Sequence, residues 1–151
     1  MHEPGANYTK GKGRKAWQYL TGQRRVRLAP AVAFDTPNPA VAGTSTYDDA
    51  GIWNGSPERY TWTLLGKKEM LIPASNYEFL FEKEVEDLLG EKFLEPQFVR
   101  WEKHRVWVVE GNLKDGLRHL YSKRRIYFDE DTWNAAAAES YDGKGELWRV
   151  Q

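Results

Sequence analysis

The stretch 121–151, YSKRRIYFDEDTWNAAAAESYDGKGELWRVQ, decides the fold class. Strand-forming runs alternate in it with tight-turn sequences. Residues 122–129 read as a strand, Asp-Glu-Asp-Thr at 129–132 turns it, and 133–141 returns. Asp-Gly-Lys-Gly at 142–145 turns again, and 146–150 closes an antiparallel meander. The Asp142-Gly143 pair suits a positive φ, which glycine adopts without a Cβ clash. The four alanines at 135–138 have high helix propensity. Closely spaced turns and the flanking Trp133 and Tyr141 favour a strand there.

Upstream, FVRWEKHRVWVVE at 98–110 is a further strand. Val106 and Val108 fall on one face and Trp107 and Val109 on the other, so this strand is covered on both faces or borders an internal cavity. A turn at 112–116 leads into 117–121, which runs on into the meander. At 59–65, Tyr60, Trp62 and Leu64 alternate with Thr61 and Thr63 as a strand. Gly66-Lys67 turns it into 69–72, and Pro73 ends it. The period then changes. Ser75 and Glu78 form a capping-box pattern, and Phe81, Val85, Leu88 and Leu89 recur at helical spacing before Gly90. This predicts a helix within 82–89. It starts as early as 76 only if Tyr77, Phe79 and Phe81, which alternate like a strand, join it.

At the other end, 1–13 is glycine-rich and polar and reads as a flexible arm. Residues 14–20, a Thr-Gly-Gln turn and 24–29 make a hairpin, in which Val26 and Leu28 share one face and Arg25 and Arg27 the other. The long loop 30–57, with prolines at 30, 37, 39 and 57, is either functional or an ordered cover over Phe34, Tyr47, Ile52 and Trp53. The tally is seven to nine antiparallel strands and one short helix, in a single domain over 1–151 or in the C-terminal fragment of a larger one.

Composition narrows the classes of function. Lys plus Arg number 22 and Asp plus Glu number 22, so the formal net charge is zero, and neither nucleic acid nor an anionic bilayer is favoured as partner. Cysteine is absent, which excludes disulfides and thiolate metal sites. No apolar run approaches 18 residues, and the first fifteen residues contain no signal-peptide hydrophobic segment.

Few residues suggest chemistry. On a strand, Arg100, Glu102 and His104 share one face, which suits a base oriented by a carboxylate and suits a salt-bridged sheet face better, since no nucleophile is placed beside it. His104 and His119 would form part of a zinc set only if their strands brought them together. Asp129, Glu130 and Asp131 lack the ligand order of a calcium loop and read as turn formers, with Asp131 stabilising the bend. Lys123 and Arg125 point opposite Arg124, which splits the one basic run. The reading is therefore non-enzymatic: no catalytic set, no metal, no cofactor.

What remains is the aromatic load of seven Trp, eight Tyr and six Phe. Aromatics on strands fill a core or line a hollow. Read as lining, Trp62, Trp107, Tyr127, Trp133 and Trp148 would bind a lipid acyl chain or lipidated peptide by shape and apolar area, at about 0.8 kcal/mol per buried CH₂.

The strings RRVRLAPAVAFDTP (24–37), NGSPERYTWTLLGKKEMLIP (54–73), RWEKHRVWVVEG (100–111) and RHLYSKRRIYFDEDTWNAAAAESYDGKGELWRV (118–150) resemble, in this order, the DUF1329 family. These are bacterial envelope proteins often labelled outer membrane lipoprotein-sorting proteins. Family members are much longer, so the resemblance implies that this chain is only the C-terminal portion. It also implies a fold similar to LolA, LolB and RseB: a strongly curved antiparallel sheet or incomplete barrel, with a helix on the concave side and a hollow for acyl chains. The function it implies is non-enzymatic binding of lipid or lipoprotein acyl chains in the periplasm, for transport to or from the outer membrane. A membrane transporter of the RND type would be a partner. The alternative is a docking module that associates with such a transporter, or with a second copy through its sheet edges. No residue of the matching strings brings a catalytic role with it. Ala74 departs from the pattern, which has an aromatic after Pro73.

Overall fold

A computed structural model describes residues 17–20, 24–28, 34–38, 41–81, 84–91 and 93–151. The expected arm at 1–13 lies outside them. β1 (Trp17–Leu20) and β2 (Arg25–Leu28) pair antiparallel, with Tyr19 opposite Val26, as a two-stranded sheet of their own. The main sheet contains β3 (Tyr60–Pro73), β4 (Trp101–Leu113), β5 (Lys123–Asp129), β6 (Ala135–Tyr141) and β7 (Leu147–Val150). They stand side by side in chain order, each antiparallel to the next.

This arrangement overturns the strongly curved sheet or incomplete barrel. β3 and β7 are the two edges of an open sheet that is neither closed nor strongly curled. Closure needs the first strand to reach the last through a tilt and a regular stagger. Here β3 runs for 14 residues while β7 has four, paired along one end of β6. The single helix on a concave side is corrected with it. Two short helices, α1 (Tyr77–Phe81) and α2 (Val85–Leu88), lie in the 74–100 connection between β3 and β4. No helix among the described residues is long and apolar enough to cross a membrane.

Several local expectations change for identifiable reasons. Gly66-Lys67 is not a turn: Leu65 is the extra residue of a β-bulge, and Gly66 takes φ +106° so that β3 continues. Residues 117–121 are not a strand, because the amide of Tyr121 donates to His119 Nδ1 at 2.9 Å. In the last turn Asp142 Oδ1 accepts from the amides of Lys144 and Glu146, at 2.8 and 2.9 Å. The positive φ, +82°, falls on Gly145 rather than Gly143. The bend at 129–132 is stabilised by Asp129, whose carboxylate accepts from the amide and hydroxyl of Thr132, and not by Asp131.

The register sorts the side chains onto two faces. On the valine face Ile72, Val106, Val108 and Tyr127 form a core cluster, with Met70 and Ala137 packed against it. The opposite, tryptophan face carries Tyr60, Trp62, Trp107, Arg124 and Ile126. Within the loop, 3₁₀ turns at Tyr47–Asp49 and Pro57–Arg59 bring Trp53 edge-on to Trp62, with ring centroids 5.1 Å apart. Trp62 in turn lies against Gly111. A Cβ built there would stand 2.6 Å from the Trp62 ring, so only glycine permits that approach.

Candidate functional site

Two apolar depressions and one buried polar cluster lie along the tryptophan face. The first depression is a groove of about 710 Å³ where β3 gives way to α1 and the chain re-enters β4. Pro73, Phe79, Phe93, Leu94, Pro96, Val99 and Trp101 line it with Asn76. Its wall is built by a tight return, in which the Gly90 amide donates to Phe93 O (2.9 Å) and that of Glu95 to Leu88 O (3.0 Å). Gly90 thus serves close backbone approach rather than a helix cap: a Cβ there would stand 2.6 Å from Phe93 O. Asn76, the one polar side chain among the described lining residues, is already engaged, its Oδ1 accepting from the Arg100 amide at 2.6 Å. What the groove offers a ligand is apolar area, with Phe93 and Trp101 exposed.

The second depression is a shelf of about 410 Å³ formed by Leu64, Trp107, Val109, Phe128 and Trp133. Lys67 places its ammonium 4.2 Å from the centroid of the Trp107 ring. Lys67 and Arg105 both pair with Glu130, in the turn that carries Trp133. Trp101 and Trp107 fall on the same face of β4, six residues apart, roughly 20 Å.

The polar cluster fastens the loop to the sheet. Arg124, 2% exposed, donates from Nη1 to Asp49 Oδ1 at 2.8 Å and from Nη2 to Asp48 Oδ2 at 2.7 Å. Tyr121 Oη donates to Asp49 Oδ2 (2.9 Å) and accepts from Arg149 Nη1 (2.6 Å). Thr46 Oγ1 donates to Asp48 Oδ1. His119 Nδ1 accepts the Tyr121 amide proton, and Nε2 donates to Asp48 at 3.1 Å. Burial alone would raise the Asp48 pKa, but the His119 hydrogen bond and the Arg124 charge outweigh it and hold the carboxyl below the usual range. Burial, with Asp49 alongside, pushes the Tyr121 hydroxyl up to about 12. Asp48, His119 and Arg124 are buried together, and their bonds hold 46–59 against the sheet.

The structure brings Trp107 and Trp133 together on the shelf. Trp62 shares their face but meets Trp53 edge to face and donates from Nε1 to Pro57 O at 2.9 Å. Tyr127 lies on the valine face, 3% exposed, its hydroxyl donating to Glu139. Trp148 sits on the β7 edge beside Tyr121 and Arg149. Arg100, Glu102 and His104 align as the strand period predicts, with Arg100 Nε 2.9 Å from Glu102. His104 and His119 do not meet: His104 lies between Asp129 (2.9 Å) and Glu102 (3.5 Å), and His119 belongs to the loop anchor. His104, Asp129 and Asp131 bring ligand atoms within 4.8 Å of one another, but Asp129 is engaged by Thr132 and His104. The sequence marked neither the groove residues Phe79, Phe93, Leu94 and Val99 nor the anchor pair Asp48–Asp49 as site residues. Two adjacent acids inside a proline-rich, aromatic loop were the available sign of a buried cation opposite.

A family model described as "Protein of unknown function (DUF1329)" matches residues 6–151. The chain is 47% identical over 138 residues to "Uncharacterized protein PA3922" of Pseudomonas aeruginosa, covering 91% of this chain and 30% of that protein. Two solved structures share the fold, each at a TM-score of 0.52. One is of a putative outer membrane lipoprotein-sorting protein domain from Vibrio parahaemolyticus, at 18% identity over 92% of this chain. The other is of a DUF1329 family protein from Desulfovibrio piger, at 16% identity over 93% of this chain. The chain spans 44% of each of those chains, and less than a third of the Pseudomonas relative.

Proposed function

We propose, from the premise that this chain belongs to the DUF1329 family, that it binds the acyl chain of a lipid or lipoprotein without transforming it. The observation that carries this reading is the groove at Trp101: about 710 Å³, its described lining apolar except for Asn76, whose amide is already bonded to backbone. Such a surface recognises apolar length and width rather than a functional group, and each methylene it buries contributes about 0.8 kcal/mol. The shared fold with a lipoprotein-sorting domain supports the same class of ligand and a periplasmic setting. The chain then corresponds to the C-terminal portion of a longer sorting or export protein, with a membrane transporter as partner.

The test is uptake of a dansyl-labelled undecanoyl chain by delipidated protein. Micromolar binding is expected, weakened about tenfold or more in Trp101→Ala and in Phe93→Ser. A delipidated protein that takes up no acyl probe at micromolar concentration overturns the reading.

A second reading is favoured by a separate observation. β3 presents a 14-residue edge, and long edges accept further strands. The protein would then dock through this strand, onto a second copy or onto a transporter. A monomer by sedimentation at high micromolar concentration ends the self-pairing version.

A further inference from the structure

We propose that the shelf around Trp107 binds amphiphiles that end in an anion, with Lys67 and Arg105 as the headgroup contacts; this rests on the acyl-binding reading above. Three observations distinguish the shelf from the groove. First, a cation stands at its mouth: the Lys67 ammonium lies 4.2 Å from the Trp107 ring centroid, where the head of a chain lying on Trp107, Phe128 and Leu64 would fall.

Second, two cations converge there. Lys103 pairs with Glu69 at 3.0 Å, while Lys67 and Arg105 both turn to the one carboxylate of Glu130. Two cations side by side at the rim of an apolar surface are a pair that an anionic head can bridge and a neutral one cannot. Third, the Trp107 Nε1–H is buried and meets no hydrogen-bond acceptor among the described residues. An unpaired buried donor gains from an acceptor brought within reach. None of the described residues that line the groove at Trp101 is charged.

The tryptophan indole N–H signals of the whole chain read the two places separately, with Trp107→Phe and Trp101→Phe assigning their signals among the seven tryptophans. The probes are laurate and dodecanol, kept below micelle concentrations. Laurate is expected to shift the Trp107 signal with an affinity about tenfold above that of dodecanol. That preference should fall in Lys67→Gln and in Arg105→Gln, each confirmed as folded by its thermal melt. Equal affinity of the two ligands at Trp107 overturns the headgroup assignment and leaves acyl binding intact. Shifts confined to Trp101 overturn the shelf as a site and again leave acyl binding intact. No shift at either signal with either ligand overturns both.

Discussion

Arg124 is the residue on which the loop anchor depends. Its guanidinium is buried between two carboxylates, so replacing it by an apolar side chain leaves Asp48 without its arginine and Asp49 with only the more distant Arg149, at 3.9 Å. Arg124→Met is expected to cost about 3–5 kcal/mol in urea unfolding. His104 gives a pH dependence whose sign follows from its neighbours. The hydrogen bond to Asp129 holds its pKa above the ordinary imidazole value; burial opposes this and Glu102 assists. Its stabilising contribution is complete below about pH 6.5, the unfolded value, and is lost as pH rises through the folded one. Burial alone would raise the Asp129 pKa, but Thr132 and His104 bring it below the usual carboxylate range. Its own contribution is therefore present above about pH 4 and lost in acid. Urea midpoints should fall as pH rises above about 6.5 in the wild type and change less in His104→Gln. Equal slopes in the two proteins refute the assignment. The sequence carried the alignment of Glu102 with His104, because a strand repeats every two residues. It did not carry the Asp129 partner, which depends on where β5 ends against β4.

The elements were legible to the extent that their signals are local. The closing meander follows its turn residues closely, and the alanine run is a strand as its flanking turns demand. Asp142→Ala removes the acceptor of two turn amides and is expected to cost about 0.5–1.5 kcal/mol, read by the same unfolding measurement. The bulge at Leu65 was not legible, since a glycine between two strand-like runs signals a turn and a bulge equally well. Gly111 was likewise silent until Trp62 was seen against it. Gly111→Ala is expected to destabilise by about 1–3 kcal/mol and to alter the near-ultraviolet dichroism of the tryptophans as Trp62 is displaced.

At the scale of the molecule, an open five-stranded sheet carries the groove and the shelf on one face and the 14-residue β3 at one edge. If that edge is unpaired in solution, the β3 amides pointing away from β4 should exchange with solvent far faster than those bonded to it, and hydrogen exchange measures the difference. Sequence alone determined the antiparallel class, the strands of the meander and the separation of Arg124 from Lys123 and Arg125, because period and turn chemistry reside in neighbouring residues. Only the tertiary structure decided that the sheet stays open, that Trp107 and Trp133 meet while Tyr127 faces away, and that Asp48 and Asp49 reach Arg124. The reason is that closure, register and the pairing of distant charges depend on how strands and loops are placed against one another in space. No local stretch of chain encodes that placement by itself.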